Sequence, residues 1–325
     1  MVVQFEDFES SKAFPLLSRY RHRYRVFNDD IQGTGCVTLS GVLSAAAQTG
    51  QDFTKLRFMC AGAGSAGLGV CGQLMDGLVE AGLTKEEARS RFVICTIEGA
   101  LGAPSQKKTS HAVGQAAEWV NTAVPDGASL MEAMKAFKPH VLLGLTAQSG
   151  IFTEDLIKQM AAYHTRPIIL PMSNPTTRAE CTPEQAYKWT EGRAVVATGS
   201  PFLPCTLNGK TFTSSQCNNM YIFPGLGLAA SVAGVSRITD RMLYVAAKAC
   251  ANCVNKEEVS AGMTFPSIKR IREVSFAVAN AVIQEALNAG LTTKISQRTL
   301  ETEGLENLIR RKMYFPNYVP LVDPK

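Results

Sequence analysis

The chain has 325 residues, is 46% hydrophobic and 19% charged, and carries a formal net charge of +5. That length can bury a large core in one big domain or two. No apolar stretch reaches the roughly 18–20 residues of a membrane span, and the charge is too mild and mixed to argue for nucleic acid, although it suits small anionic substrates. The one local basic run, Arg19 to Arg25, holds four Arg and His22 and reads as a solvated or phosphate-facing segment. Nine cysteines, odd in number and without framework spacing, fit reduced thiols in a cytosol-like compartment. The expected location is therefore cytoplasmic, with the mitochondrion as the alternative. Cys250 and Cys253 form a lone CxxC inside an apolar helical pattern, so two small core residues are a better reading than zinc or redox chemistry.

In chain order, two acidic pairs come first: Glu6-Asp7 in QFEDF at 4–8, and Asp29-Asp30 in FNDDIQGTG at 27–35. Both lie between aromatics in segments expected to be partly buried. The apolar run from Lys55 to Ala61 predicts a strand, followed by a glycine-rich turn and a helix from Gly64 to Ala81. Further strands are predicted at Arg91–Ile97, His140–Leu145, Pro167–Met172 and Ala194–Thr198, separated by helices at Ser129–Phe137 and Thr153–His164. Beyond residue 220 the patterns are helical, over Ala229–Val254 and Ser267–Ala289, and the tail from Leu291 is more polar. Strands alternating with helices imply an α/β fold with a doubly wound, Rossmann-like parallel sheet. Ligands of such sheets sit beyond the carboxyl ends of the strands.

The turn Gly62-Ala63-Gly64-Ser65-Ala66-Gly67 is a GxGxxG that follows a strand and opens a helix. Its glycines let the backbone approach a pyrophosphate, and the helix start supplies amide donors. An acid at the end of the second strand selects NAD by binding the ribose and repelling a 2′-phosphate. Glu98 is the only acid near, one or two residues past that position, while Lys107 and Lys108 would offset a phosphate. NADP is the expected cofactor, with NAD as the alternative. Carboxylates clustered beside such a turn suggest a hard divalent cation, and oxygen ligands suit Mg²⁺ or Mn²⁺.

Six ordered motifs, QFEDF, FNDDIQGTG, GAGSAG, SNPT at 173–176, ATGSPF at 197–202 and CNNMYIFPGLGLA at 217–229, resemble the malic enzyme family over essentially the whole chain. The resemblance implies oxidative decarboxylation of (S)-malate to pyruvate and CO₂ with reduction of NADP or NAD. It implies Glu6, Asp7 and Asp30 as metal ligands, with Asp29 shaping the site, so that Asp29 and Asp30 are the catalytic carboxylates of this chain. Gly62, Gly64, Ser65, Ala66 and Gly67 match the pyrophosphate loop. Asn174 and Asn219, with Asn218 beside them, resemble amides that meet the substrate carboxylate and the nicotinamide.

In that family the nucleotide domain is inserted in a second α/β domain. The expected division is a remnant of the substrate and metal domain at 1–27, the nucleotide domain at 28–219, a helical return at 220–290 and a C-terminal extension at 291–325. A dimer or tetramer is expected of the full-length protein. The chain opens inside a strand that runs straight into functional residues, so an N-terminal half carrying the family's Tyr and Lys acid–base pair is expected to be missing. The alternative is a non-catalytic remnant or subunit that binds NAD(P) and metal.

Overall fold

A computed structural model describes residues 1–103, 117–315 and Tyr318. The chain opens with strand β1 (Val3–Phe5), helix α1 (Ser10–Tyr20) and strand β2 (Val26–Asn28). A π-helical turn, Asp29–Gly33, leads into α2 (Thr34–Thr49). Then come β3 (Phe58–Ala61), α3 (Ser65–Glu80), β4 (Phe92–Thr96) and the short β5 (Gly99–Ala100). A small pair follows, β6 (Gly102–Ala103) with β7 (Asn121–Pro125). The predicted later strands appear as β8 (Val141–Gly144), β9 (Ile168–Pro171) and β10 (Val195–Thr198). A hairpin of β11 (Cys205–Leu207) and β12 (Lys210–Phe212) precedes β13 (Ser215–Gln216).

The main sheet has seven strands in the order β13-β10-β9-β8-β3-β4-β5. All of its pairings are parallel except the edge pairing of β4 with β5. Its parallel strands are continuously apolar because both faces are covered. Along β3 the pleat sends Phe58 and Cys60 to one core, shared with Phe92 and Ile94, and Met59 and Ala61 to the other, shared with Val93 and Cys95. The first core also takes in α2, α3 and the late helices; the second is closed by helices Leu130–Phe137 and Glu154–Tyr163. Strand order reverses between β3 and β8, so the loops after these two strands diverge and leave the crevice where such sheets bind ligands.

The helical pattern expected over 229–254 is two helices, Phe223–Ala233 and Asp240–Asn252. Gly234 ends the first at φ +62°, and the Thr239 side chain caps the second by accepting from Met242 N–H. Helix α2 has no sequence period to betray it, because it is buried on nearly every side. It is made of small residues that admit close neighbours; a Cβ on Gly35 would lie 2.7 Å from Gln73 Cβ. Among the described residues no helix is long and apolar enough to cross a membrane. All nine cysteines are free thiols, including Cys250 and Cys253.

Candidate active site

β1 and β2 pair in parallel with Val3, Gln4 and Phe5 opposite Val26, Phe27 and Asn28. Continuing that register by two residues sets Glu6-Asp7 against Asp29-Asp30, which is how two segments far apart in sequence become one cluster. Asp7 takes a left-handed φ of +58°, and its N–H donates to Asp30 Oδ2 at 2.8 Å. Glu6, Asp7 and Asp30 each offer a carboxylate oxygen within 4.8 Å of the others. The expectation of partial burial holds for the second pair alone. Glu6 and Asp7 are exposed, because Phe5 and Phe8 pack on each other at the surface instead of over the carboxylates.

Asp29 is 2% exposed. Its Oδ2 accepts from Asn219 Nδ2 at 2.9 Å, while Oδ1 has no partner. Burial, and secondarily the charges of Glu6 and Asp30, push its carboxyl up to about 6 against the pull of the Asn219 bond. Glu6, although exposed, is also raised, first by partial desolvation and further by the charges of Asp30 and Asp7. Oxygen-only donors that repel one another, beside an orphaned buried oxygen, fit a hard divalent cation such as Mg²⁺ or Mn²⁺. The turn that presents them is fixed by side chains: Asn28 Oδ1 accepts from Ile31 N–H at 2.9 Å, and Gln32 Oε1 accepts from Asn28 N–H at 3.0 Å. Gly33 is required there, since a Cβ would fall 2.0 Å from Asp29 Oδ1.

The GxGxxG turn crosses from β3 to α3 at the switch point. Gly62 has φ +116°, and a Cβ on it would lie 2.3 Å from Leu145 O; one on Gly67 would lie 2.1 Å from Gly62 O. Gly64 faces open space at the start of α3, with Ser65 and Ala66 the first helical residues. A cavity of about 720 Å³ is lined by Gly62, Gly64, Thr96, Glu98, Ser129 and Thr146 among others. β4 ends at Thr96, whose Oγ1 accepts from Glu98 N–H at 3.1 Å and donates to Gly99 O at 3.2 Å. Glu98 thus stands two residues past the strand end yet still lines the cavity. Lys107 and Lys108 lie outside the described residues.

A second cavity, of about 510 Å³, is lined by Asp7, Asp30, Ser65, Ala147, Ser173 and Asn174 among others. Leu145 lines both cavities, so the one over the glycine turn adjoins the one beside the carboxylate cluster. Asn174 precedes a cis peptide to Pro175, and its Oδ1 accepts from Ser200 Oγ at 2.6 Å. Asn218 and Asn219 are both bonded within the protein. The Asn218 side chain caps its own turn, accepting from Met220 N–H at 3.0 Å. The Asn219 amide donates to Asp29 O, Asp29 Oδ2 and Thr34 Oγ1 at 3.1, 2.9 and 3.1 Å, so its NH₂ holds Asp29. Glu180, which the motifs pass over, is completely buried and accepts from Thr146 and Ser173 on the two loops that wall the cavities. Its sequence context, an acid between Ala179 and Cys181 in a polar stretch, carries no signal of this role.

Comparison with known proteins bears on what this arrangement serves. The family described as "Malic enzyme, NAD binding domain" matches residues 31–287. The NADP-dependent malic enzyme of Dictyostelium discoideum is 41% identical over 319 residues, which cover 98% of this chain and 57% of that protein. The NAD-dependent malic enzyme of Aeromonas salmonicida is 38% identical over 324 residues, covering 98% of this chain and 56% of that protein. Among solved structures, the malic enzyme from Pyrococcus horikoshii superposes with a TM-score of 0.73 at 28% identity, over 94% of this chain and 66% of that one. The Entamoeba histolytica malic enzyme, at 23% identity, shares the fold with a TM-score of 0.77 over 96% of this chain and 59% of that one. The chain spans about half the length of the curated relatives it matches, 57% and 56% of the two named. With residues 31–287 matched to the family's NAD-binding domain and the carboxylates gathered beside the glycine turn, the chain belongs to the malic enzyme family.

Proposed function

We propose that this chain is the nucleotide- and metal-binding part of an enzyme that oxidatively decarboxylates (S)-malate to pyruvate and CO₂ while reducing NADP⁺ or NAD⁺. One observation carries the reading: the dinucleotide cavity and the cavity beside Glu6, Asp7 and Asp30 share the Leu145 wall. A nicotinamide reaching over the glycine turn would enter the second cavity, within reach of a hydroxy acid held at the carboxylates. Glu6, Asp7 and Asp30 would hold the divalent cation, which when bound polarises the substrate's C2 oxygen. Amides of the turn and of the α3 N-terminus would seat the pyrophosphate. Asn174 lines the second cavity and would face the substrate and nicotinamide. Asn219 serves indirectly, keeping Asp29 in place behind Asp30.

The preferred cofactor is NADP⁺, with Lys107 and Lys108 as partners for its 2′-phosphate. A second reading, NAD⁺, is favoured by Glu98, whose place in the cavity lining puts an acid where a 2′-phosphate would be repelled. A non-catalytic, ligand-binding role is favoured by the lining of the second cavity, where no Lys or Tyr stands among the described residues. The division at 27/28, 219/220 and 290/291, a dimer or tetramer, and a cytoplasmic site of action belong to the same proposal.

Absorbance at the reduced nicotinamide band, with malate, Mn²⁺ and either NADP⁺ or NAD⁺, tests it on this chain and on a protein that also carries the N-terminal part of a relative. Metal-dependent reduction in the longer protein supports the activity. Silence in both, with each folded, refutes it.

A further inference from the structure

We infer that Glu180 is a positioning residue that sets the wall of the cavity in which nicotinamide and substrate would meet, by tying together the loops after β8 and β9; this rests on the dinucleotide reading of the two cavities. A fully buried carboxylate needs partners, and a cation is the usual one. Among the described residues the donors to Glu180 are all neutral instead. Oε1 accepts from Thr146 N–H at 2.9 Å, from Thr146 Oγ1 at 2.9 Å and from Ser173 Oγ, and Oε2 accepts from Ser173 N–H at 3.4 Å. Thr146 lies on the loop after β8 and Ser173 on the loop after β9. The strand itself is thinned to admit the carboxylate: a Cβ on Gly144 would lie 2.5 Å from Glu180 Cδ.

Ser173 extends the tie. While its hydroxyl donates to Glu180, the same oxygen accepts from Ala147 N–H at 2.8 Å. Ala147 holds a left-handed φ of +55°, a conformation that a non-glycine residue keeps only when its surroundings enforce it. Ala147, Ser173 and Asn174 all line the cavity beside the carboxylate cluster. The Glu180 carboxyl therefore stands behind the geometry of this wall, although Glu180 itself reaches neither cavity lining.

Glu180→Gln separates the two loops. Its oxygen can keep the three bonds made at Oε1, but its NH₂ then faces Ser173 N–H, donor against donor. The damage falls on the Ser173–Asn174 side and spares the adenosine end near Thr96, Glu98 and Ser129. Ser173→Ala, which orphans Ala147 N–H, should give the same signature if Glu180→Gln folds poorly. Affinities for NADPH, NADH and AMP are measured by fluorescence titration and competition, with thermal melting alongside.

The expected result in both variants is about tenfold weaker binding of whichever reduced dinucleotide the wild type takes. Nicotinamide emission enhancement at saturation should be lower, AMP affinity should stay within about twofold, and the double variant should be no worse than the worse single one. Equal weakening of AMP and dinucleotide, in step with the melting temperature, would make Glu180 a fold support only and overturn the inference. Unchanged dinucleotide binding and emission would overturn it too. A folded wild type that binds none of the three nucleotides overturns the dinucleotide reading itself, and this inference with it.

Discussion

Gly67→Ala tests the seat of the pyrophosphate most directly. The added Cβ would sit 2.1 Å from Gly62 O and 3.0 Å from Gly62 C. An ordinary carbon–oxygen approach is about 3.3 Å or more, so the turn must open by roughly 1 Å. Gly62 has little room to yield, being held at φ +116° with its own Cβ direction blocked by Leu145 O at 2.3 Å. Overpacking of this kind costs about 1–3 kcal/mol, a fall of roughly 2–12 °C in Tm at the scale of larger domains. The effect on ligand is larger. Moving the turn away from α3 breaks about two charge-assisted hydrogen bonds to phosphate, each worth about 1.5–3 kcal/mol, so dinucleotide affinity should drop by about 100-fold or more. Gly72→Ala on the same helix is the control: nothing lies within 4 Å of its Cβ position, and relief of glycine's helix penalty should add about 0.5–1 kcal/mol. Fluorescence titration with reduced dinucleotide and calorimetric melting read both quantities. A folded Gly67→Ala protein that binds dinucleotide like the wild type would show that the pyrophosphate sits elsewhere.

Further tests address the other parts of the molecule. Asp30→Asn should weaken Mn²⁺ binding by about tenfold or more, read from the electron paramagnetic signal of the free ion, and leave dinucleotide binding intact; loss of both would make Asp30 a structural residue. His140 is half-buried against His164, Arg57 and Arg91, and burial followed by these charges lowers it from 6.5 to about 4. The unfolded chain therefore takes up a proton below pH 6.5 that the folded chain refuses down to about 4. Stability present above pH 6.5 falls across that window as the pH drops. His140→Asn should flatten that slope in denaturant titrations at a series of pH values, and an unaltered slope would exclude His140 as its source. Tyr221 donates its hydroxyl to Pro266 O at 2.7 Å while stacked on Phe265. Tyr221→Phe strands that carbonyl and should cost about 1–3 kcal/mol in urea unfolding without moving Mn²⁺ affinity; a change in Mn²⁺ affinity would mean that this packing reaches the metal site.

Most of the parallel sheet could be read from apolar runs bounded by glycines and caps, because strands covered on both faces leave a continuous hydrophobic signal. Helix α2 could not, for the matching reason that a helix buried all round has no polar face to set its period. The break between helices Phe223–Ala233 and Asp240–Asn252 hid in a stretch apolar on both sides, although Gly234 and Thr239 are its chemical marks. At the site, the glycine turn and the carboxylates were plain as motifs. Asn219 was legible as a candidate position, but its bond to Asp29 was not, because the two are 190 residues apart. Glu180 was silent, since nothing local links it to Thr146, 34 residues earlier.

The sequence by itself determined the chemistry on offer: carboxylates of the kind that suit a hard cation, a glycine turn opening a helix, and the order of motifs that marks the family. Residue type, spacing and apolar period are local properties, and a linear reading captures them. Only the tertiary structure decided which carboxylates converge, which one is buried and raised, and which amide is spent on holding it. Those outcomes depend on the register of β1 on β2 and on burial by elements distant along the chain. A charge's surroundings, which set its cost and its use, are made by residues that the sequence places far away.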